Sequence, residues 1–172
     1  MRNIYEFRGR KPIFGVDVYI DPMSRVIGDV KIGDYSVILF GSIVRGDDDR
    51  IVIGRRVAIL ENCIVEAPSG KPVYIGDETL ISHGAIVHGA KVGKNVLVGI
   101  GAIILDGSSI GDNSIIAAGA LVPPGREIPP NSIAMGIPAK IVRGVCEDDV
   151  ERVKKELEAI LEKSRYYRML FK

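Results

Sequence analysis

The chain has two histidines, and both fall in one stretch, SHGAIVHGAKVG, as His83 and His88. Imidazoles this close in sequence can ligate a divalent metal or serve as a general base. Twenty-two residues before His88 stands Glu66, and twenty-one before that stands Arg45, which opens the run RGDDD with Asp47, Asp48 and Asp49. Two imidazoles and a carboxylate suit zinc, and also iron(II) or cobalt. Cys63 and Cys146 are too few and too far apart for a disulfide framework. No base stands near Cys63, which reads as a packed thiol.

Whether these groups meet depends on the elements that carry them. A six-residue period runs through Ile20, Val26, Ile32, Ile38 and Val44, then Ile53, Ile59 and Val65, then Ile75, Ile81 and Val87. It resumes at Val92 and continues through Val98, Ile104, Ile110, Ile116 and Val122. A period of six is neither helical nor a plain alternation, and it fits a solenoid. Each hexapeptide forms a short strand and a corner, and three close one triangular coil. The branched aliphatics point inward, while Gly, Asn and Asp accept the corner dihedrals. Extra residues fall near 47–50 and in APSGKP, and are expected to loop out from one face. Past Val122 the repeat dissolves into PPGREIPPNS. From about 148 to 167 a helix is predicted, with Val150, Val153, Leu157, Ile160 and Leu161 on one stripe that packs along the solenoid. The expected division is 1–145 for the solenoid and 146–172 for the helical segment.

This frame orients the chemistry. Val87 is inward, so His88 points out, whereas His83 is two past the inward Ile81, on the preceding flat face. The two imidazoles then diverge within one chain and converge only across a subunit boundary, which predicts a cyclic homotrimer with sites at its interfaces. Glu66 follows the inward Val65 and Arg45 the inward Val44. The column therefore reads Arg45, Glu66, His88, with neighbours about 4.8 Å apart. Glu66 is either a metal ligand beside His88 or a salt-bridge partner of Arg45. Arg45 and Asp47 read as an ion pair at the subunit boundary.

Lys and Arg total 23 against 22 Asp and Glu, which gives no reason to expect a nucleic acid or an anionic membrane as partner. No apolar run is long enough to span a bilayer. The charged first ten residues lack a secretory h-region, so a cytoplasmic protein with reduced thiols is expected.

Across essentially the whole chain, the segments IVRGDDD, SHGAIVHGAKVG, ILDGSSIGDNSIIAAGALVPPG and GIPAKIVRG resemble the γ-class carbonic anhydrases. The resemblance implies an all-β solenoid, a left-handed parallel β-helix of hexapeptide repeats with a C-terminal α-helix. It also implies a trimer with a divalent metal, zinc foremost, at each interface. The metal would activate water for the reversible hydration of carbon dioxide to bicarbonate. By this resemblance His83 and His88 match the second and third metal histidines, and Glu66 stands at the first. Arg45 and Asp47 match a pair that braces the interface. The candidate ligands are thus His83, His88 and Glu66, and the candidate catalytic residues Arg45, Asp47 and Glu66. Leu60 stands where a water-orienting glutamine is common, and Asn131 where a tyrosine is found near the metal. An anionic ligand makes bound water less acidic, so these departures imply weak or lost anhydrase activity. The repeats and the GIPAK segment are shared with acyltransferases that use a thioester donor. Acyl transfer with a histidine base, or a non-catalytic trimeric scaffold, are the alternatives.

Overall fold

The six-residue series is the spine of the molecule. In the computed structural model, which describes residues 3–170, the aliphatics from Val26 to Val122 form one continuous buried core. Most strands around it are short because a corner follows the inward residue. The third face stacks Tyr19–Ile20, Val37–Ile38, Ala58–Ile59, Leu80–Ile81, Leu97–Val98, Ile115–Ile116 and Ser132–Met135 in parallel. The first face carries Ile64–Glu66, Ile86–His88, Ile103–Ile104 and Leu121–Val122, again in parallel. The second face carries Val73–Ile75, Lys91–Val92, Ser109–Ile110 and Glu127–Ile128. Two long strands, Arg25–Ile32 and Ile43–Ile53, run through the corner and join these two faces.

The parallel β-solenoid predicted from the repeats is therefore present, with one correction. The extra residues at 47–50 do not loop out. They remain inside the strand Ile43–Ile53 as a bulge, where Gly28 faces Gly46 but Val30 already faces Ile51. Both flanks stay in ladder with the neighbouring coils, so the surplus is taken up as a local kink. The APSGKP insertion does form a turn, closed by the Lys71 amide donating to the Pro68 carbonyl at 2.9 Å.

Corners are tied from coil to coil. Asn95 donates its side-chain amide to Asn113 at 3.0 Å, and Asn113 to Asn131 at 3.2 Å, which builds a ladder along one edge. All three sit at positive φ, a conformation asparagine tolerates. Beside them runs a glycine column. A Cβ on Gly76 would lie 2.6 Å from the carbonyl carbon of Gly93 in the next coil.

The helix spans Glu147–Leu170; residues 171–172 of the expected helical segment lie outside the described residues. Its start is fixed by Asp149, which accepts the Cys146 amide at 3.0 Å and two bonds from Arg143 at 2.6 and 3.0 Å. The Arg143 hydrogen bonds, then that amide, hold the Asp149 carboxyl far below the usual carboxylate range. Its folded-state pKa is depressed, so the stability it lends is present above about pH 3.9 and lost as pH falls through the folded value. The melting temperatures of wild type and Asp149→Asn should accordingly converge as the pH is lowered below the ordinary carboxylate range. A gap independent of pH would refute this.

Val153 packs on Ile115 and Ile133, and Leu157 joins Ala58, Leu60 and Leu80, all on the outer side of the third face. Tyr167 meets Phe40 edge-on at 5.0 Å. Val150, expected on the buried stripe, is 45% exposed; Asp149 and Ser164 are buried instead. Beyond the last coil, Lys140–Gly144 turns back to pair antiparallel with Ser132–Met135. Among the described residues no helix is long and apolar enough to cross a membrane.

Candidate metal centre

The strand register delivers the column. Arg45 faces Glu66, and Glu66 faces His88, on successive coils of the first face. The Arg45 guanidinium donates through Nη1 to Asp47 Oδ2 at 2.9 Å, and its Nη2 pairs with Glu66 Oε1. These carboxylates, Asp47 foremost, raise the arginine's pKa further and secure its charge. The other oxygen of Glu66, Oε2, lies 3.8 Å from His88 Nε2, too far for a hydrogen bond. His88 is gripped on its opposite side, where Nδ1 meets Asp106 Oδ1. With Asp106 accepting from Nδ1, the lone pair of Nε2 is left facing the Glu66 oxygen.

His83 departs from the sequence reading. It lies in the turn that follows Leu80–Ile81, not on a flat face. The strand Ile86–His88 separates it from His88, so the two imidazoles sit at opposite ends of the first face. Beneath His83 is Glu61, whose buried Oε2 lies 2.6 Å from His83 Nδ1. Glu61 and Asp106 were not singled out from the sequence, although the spacing carried a signal. Glu61 precedes His83 by the same twenty-two residues that separate Glu66 from His88, and Asp106 follows His88 by one coil of eighteen.

The donor chemistry fits a divalent ion. The His88 imidazole has a carboxylate at Nδ1, which is how proteins commonly orient metal-binding histidines, whereas Glu61 lies beside His83 Nδ1 without hydrogen-bonding geometry. Two ligands about 2.1 Å from a tetrahedral zinc are roughly 3.4 Å apart, and Glu66 Oε2 and His88 Nε2 are 3.8 Å apart. Among the described residues of one chain, no three His, Cys, Asp or Glu gather into a complete site.

The chain and its fold are similar to those of known proteins. Residues 89–124 match the bacterial transferase hexapeptide (six repeats) family. A carbonic anhydrase of Geobacillus kaustophilus is 42% identical over 97% of this chain and 92% of that one. The mitochondrial gamma carbonic anhydrase 2 of Arabidopsis thaliana is 35% identical over 87% of this chain and 55% of that one. A crystal structure of a hexapeptide transferase family protein from Anaplasma phagocytophilum superposes with a TM-score of 0.92 at 32% identity, covering 97% of this chain and 99% of the other. The chain belongs to the γ-class carbonic anhydrase family.

Other residues of this γ-class chain are committed elsewhere. Leu60 is buried under the C-terminal helix with Leu39, Leu80 and Leu157, so an apolar side chain occupies that position for packing. Asn131 ends the asparagine ladder between the second and third faces, on a different edge from His88. Cys63 is buried inside the solenoid, where its Sγ–H reaches the Ser82 carbonyl at 3.0 Å. Burial pushes that thiol up to about 11, which disqualifies it as a nucleophile. The helix also contributes a wall beside His83: Glu156, Ile160 and Lys163 face Leu60, Glu61 and His83 across a cleft.

Proposed function

We propose that this protein is a trimeric γ-class metalloprotein of the cytoplasm that acts on carbon dioxide and bicarbonate. In this reading Glu66 and His88 of one subunit and His83 of the next hold a divalent ion, zinc foremost. The observation that carries it is the facing pair, Glu66 Oε2 and His88 Nε2, each anchored on its far side by Arg45 or Asp106. An outward aliphatic ladder supports the subunit contact. Ile43, Ile64, Ile86, Ile103 and Leu121 stack in register beside the histidine column, and Ile43 and Ile64 are exposed in the single chain. Apolar surface of this kind beside a polar column is typical of an interface.

When bound, the ion supplies acidified water as the nucleophile toward carbon dioxide. Glu66 brings a negative charge where an imidazole would bring none, and Arg45 offsets part of it by sharing the carboxylate. Leu60 has no polar atom with which to orient that water. Both features point to slow hydration compared with a three-histidine centre. Acyl transfer from a thioester is the second reading, favoured by the likeness to the hexapeptide transferase family structure. His88 with its Asp106 partner has the form of a general base.

Metal content tests the first reading. Protein purified without chelator or affinity tag, then incubated with zinc, iron(II) or cobalt, should carry about one ion per chain. Protein that stays metal-free in all three would overturn it and favour the acyltransferase assay.

A further inference from the structure

We infer that Asp106 is a positioning residue for His88, selecting the Nδ1–H tautomer so that the Nε2 lone pair is presented to the ion. The inference rests on the metal reading above and specifies how this chain readies its histidine.

Three observations converge on it. First, Asp106 Oδ1 is seated on His88 Nδ1, while among the described residues His88 Nε2 makes no hydrogen bond and faces Glu66 Oε2 at 3.8 Å. A carboxylate accepts and does not donate, so its contact with Nδ1 favours the proton there. A neutral imidazole free in water favours the opposite tautomer, with its proton on Nε2, where it would block metal binding. Second, bonds to the neighbouring coils on both sides hold the backbone that carries this carboxylate. The Asp106 carbonyl accepts the Gly125 amide at 2.8 Å, and the next residue, Gly107, donates to the Gly89 carbonyl at 2.7 Å. Third, the space for that carboxylate depends on the residue after the histidine. A Cβ at Gly89 would lie 3.3 Å from Asp106 Oδ1 and 2.9 Å from Lys71 Cβ, and the φ there is +57°. Glycine at 89 therefore serves the turn and leaves the carboxylate room to reach the ring.

Two histidines make the test direct. Long-range proton–nitrogen correlation spectra of the metal-free protein at alkaline pH report each tautomer, and His83→Ala assigns the signals. Wild type should show His88 with its proton on Nδ1. Asp106→Asn, whose side-chain oxygen can still accept, should keep that tautomer; Asp106→Ala should move the proton to Nε2. Zinc affinity, measured by competition with a chromophoric chelator, should fall roughly 10- to 100-fold in Asp106→Ala and less in Asp106→Asn. The signals of His83, which has its own carboxylate, should not move. An unchanged His88 tautomer in Asp106→Ala would overturn the inference, as would wild-type zinc affinity in that variant. A wild type that takes up no zinc would instead remove the metal reading, and the tautomer comparison would still decide the role of Asp106.

Discussion

Trimers made only of His83→Ala subunits, or only of His88→Ala subunits, should bind no divalent metal, yet mixing the two should restore sites. His83 lies in a turn at one end of the first face and His88 on the strand at the other. In the proposed trimer, a site shared across an interface takes His83 from one chain and His88 with Glu66 from its neighbour. In trimers reassembled at random from equal amounts of the two variants, about a quarter of the interfaces pair an intact His83 with an intact His88. Metal content should therefore rise from near zero to about a quarter of the wild-type value. If each site lay within one chain, every subunit in the mixture would remain defective. Recovery of no metal after co-assembly, with both parent variants shown to be trimeric, would refute the shared site.

Gly76→Ala should destabilise the protein far more than Gly84→Ala, although the first glycine is not at positive φ and the second is. A methyl group at Gly76 would lie 2.6 Å from the Gly93 carbonyl carbon and 2.7 Å from the Lys94 amide nitrogen. Those atoms belong to the next coil, which is tied to this one by the Gly76 amide donating to the Val92 carbonyl at 2.8 Å. The backbone cannot rotate aside as a side chain would. The cost should thus reach or exceed the upper end of ordinary overpacking, about 3 kcal/mol. Gly84 has φ +67° but open space around its would-be methyl, so alanine there pays only the left-handed backbone penalty, about 1–2 kcal/mol. Denaturant midpoints at matched protein concentration would compare them, and a Gly76→Ala midpoint equal to wild type would contradict the argument.

The repeat was legible because each inward isoleucine or valine marks one short strand, so counting by six sets the register of the whole solenoid. That count alone placed Arg45, Glu66 and His88 in one column, and the pairing follows it. It located the surplus residues at 47–50 but could not say how they are absorbed. A bulge and a loop have the same length, and the choice rests on whether both flanks remain in ladder. His83 was misplaced by a small error of phase. With a strand as short as Leu80–Ile81, a residue two beyond the inward position has already entered the turn. Glu61 and Asp106 stood at coil spacing from the histidines, yet spacing does not tell which way a carboxylate leans. Val150 kept helical period with Val153, but in the first turn the buried position is held by Asp149, paired with Arg143, and Val150 is left 45% exposed.

Parallel coils stacked in register resemble the cross-β arrangement of fibrils, and an open final coil is a template on which another chain could add. Here the reversed strand Lys140–Gly144 occupies the edge of the third face, and its residues, Lys140 and Arg143 among them, are exposed. On the other two faces Pro123 and Pro124 follow Leu121–Val122, and Pro129 and Pro130 follow Glu127–Ile128, withholding the amides an incoming strand would need. The molecule therefore has a built-in stop against end-to-end growth. Its exposed aliphatic ladder lies instead on a side, next to the histidine column, where the proposed trimer would form.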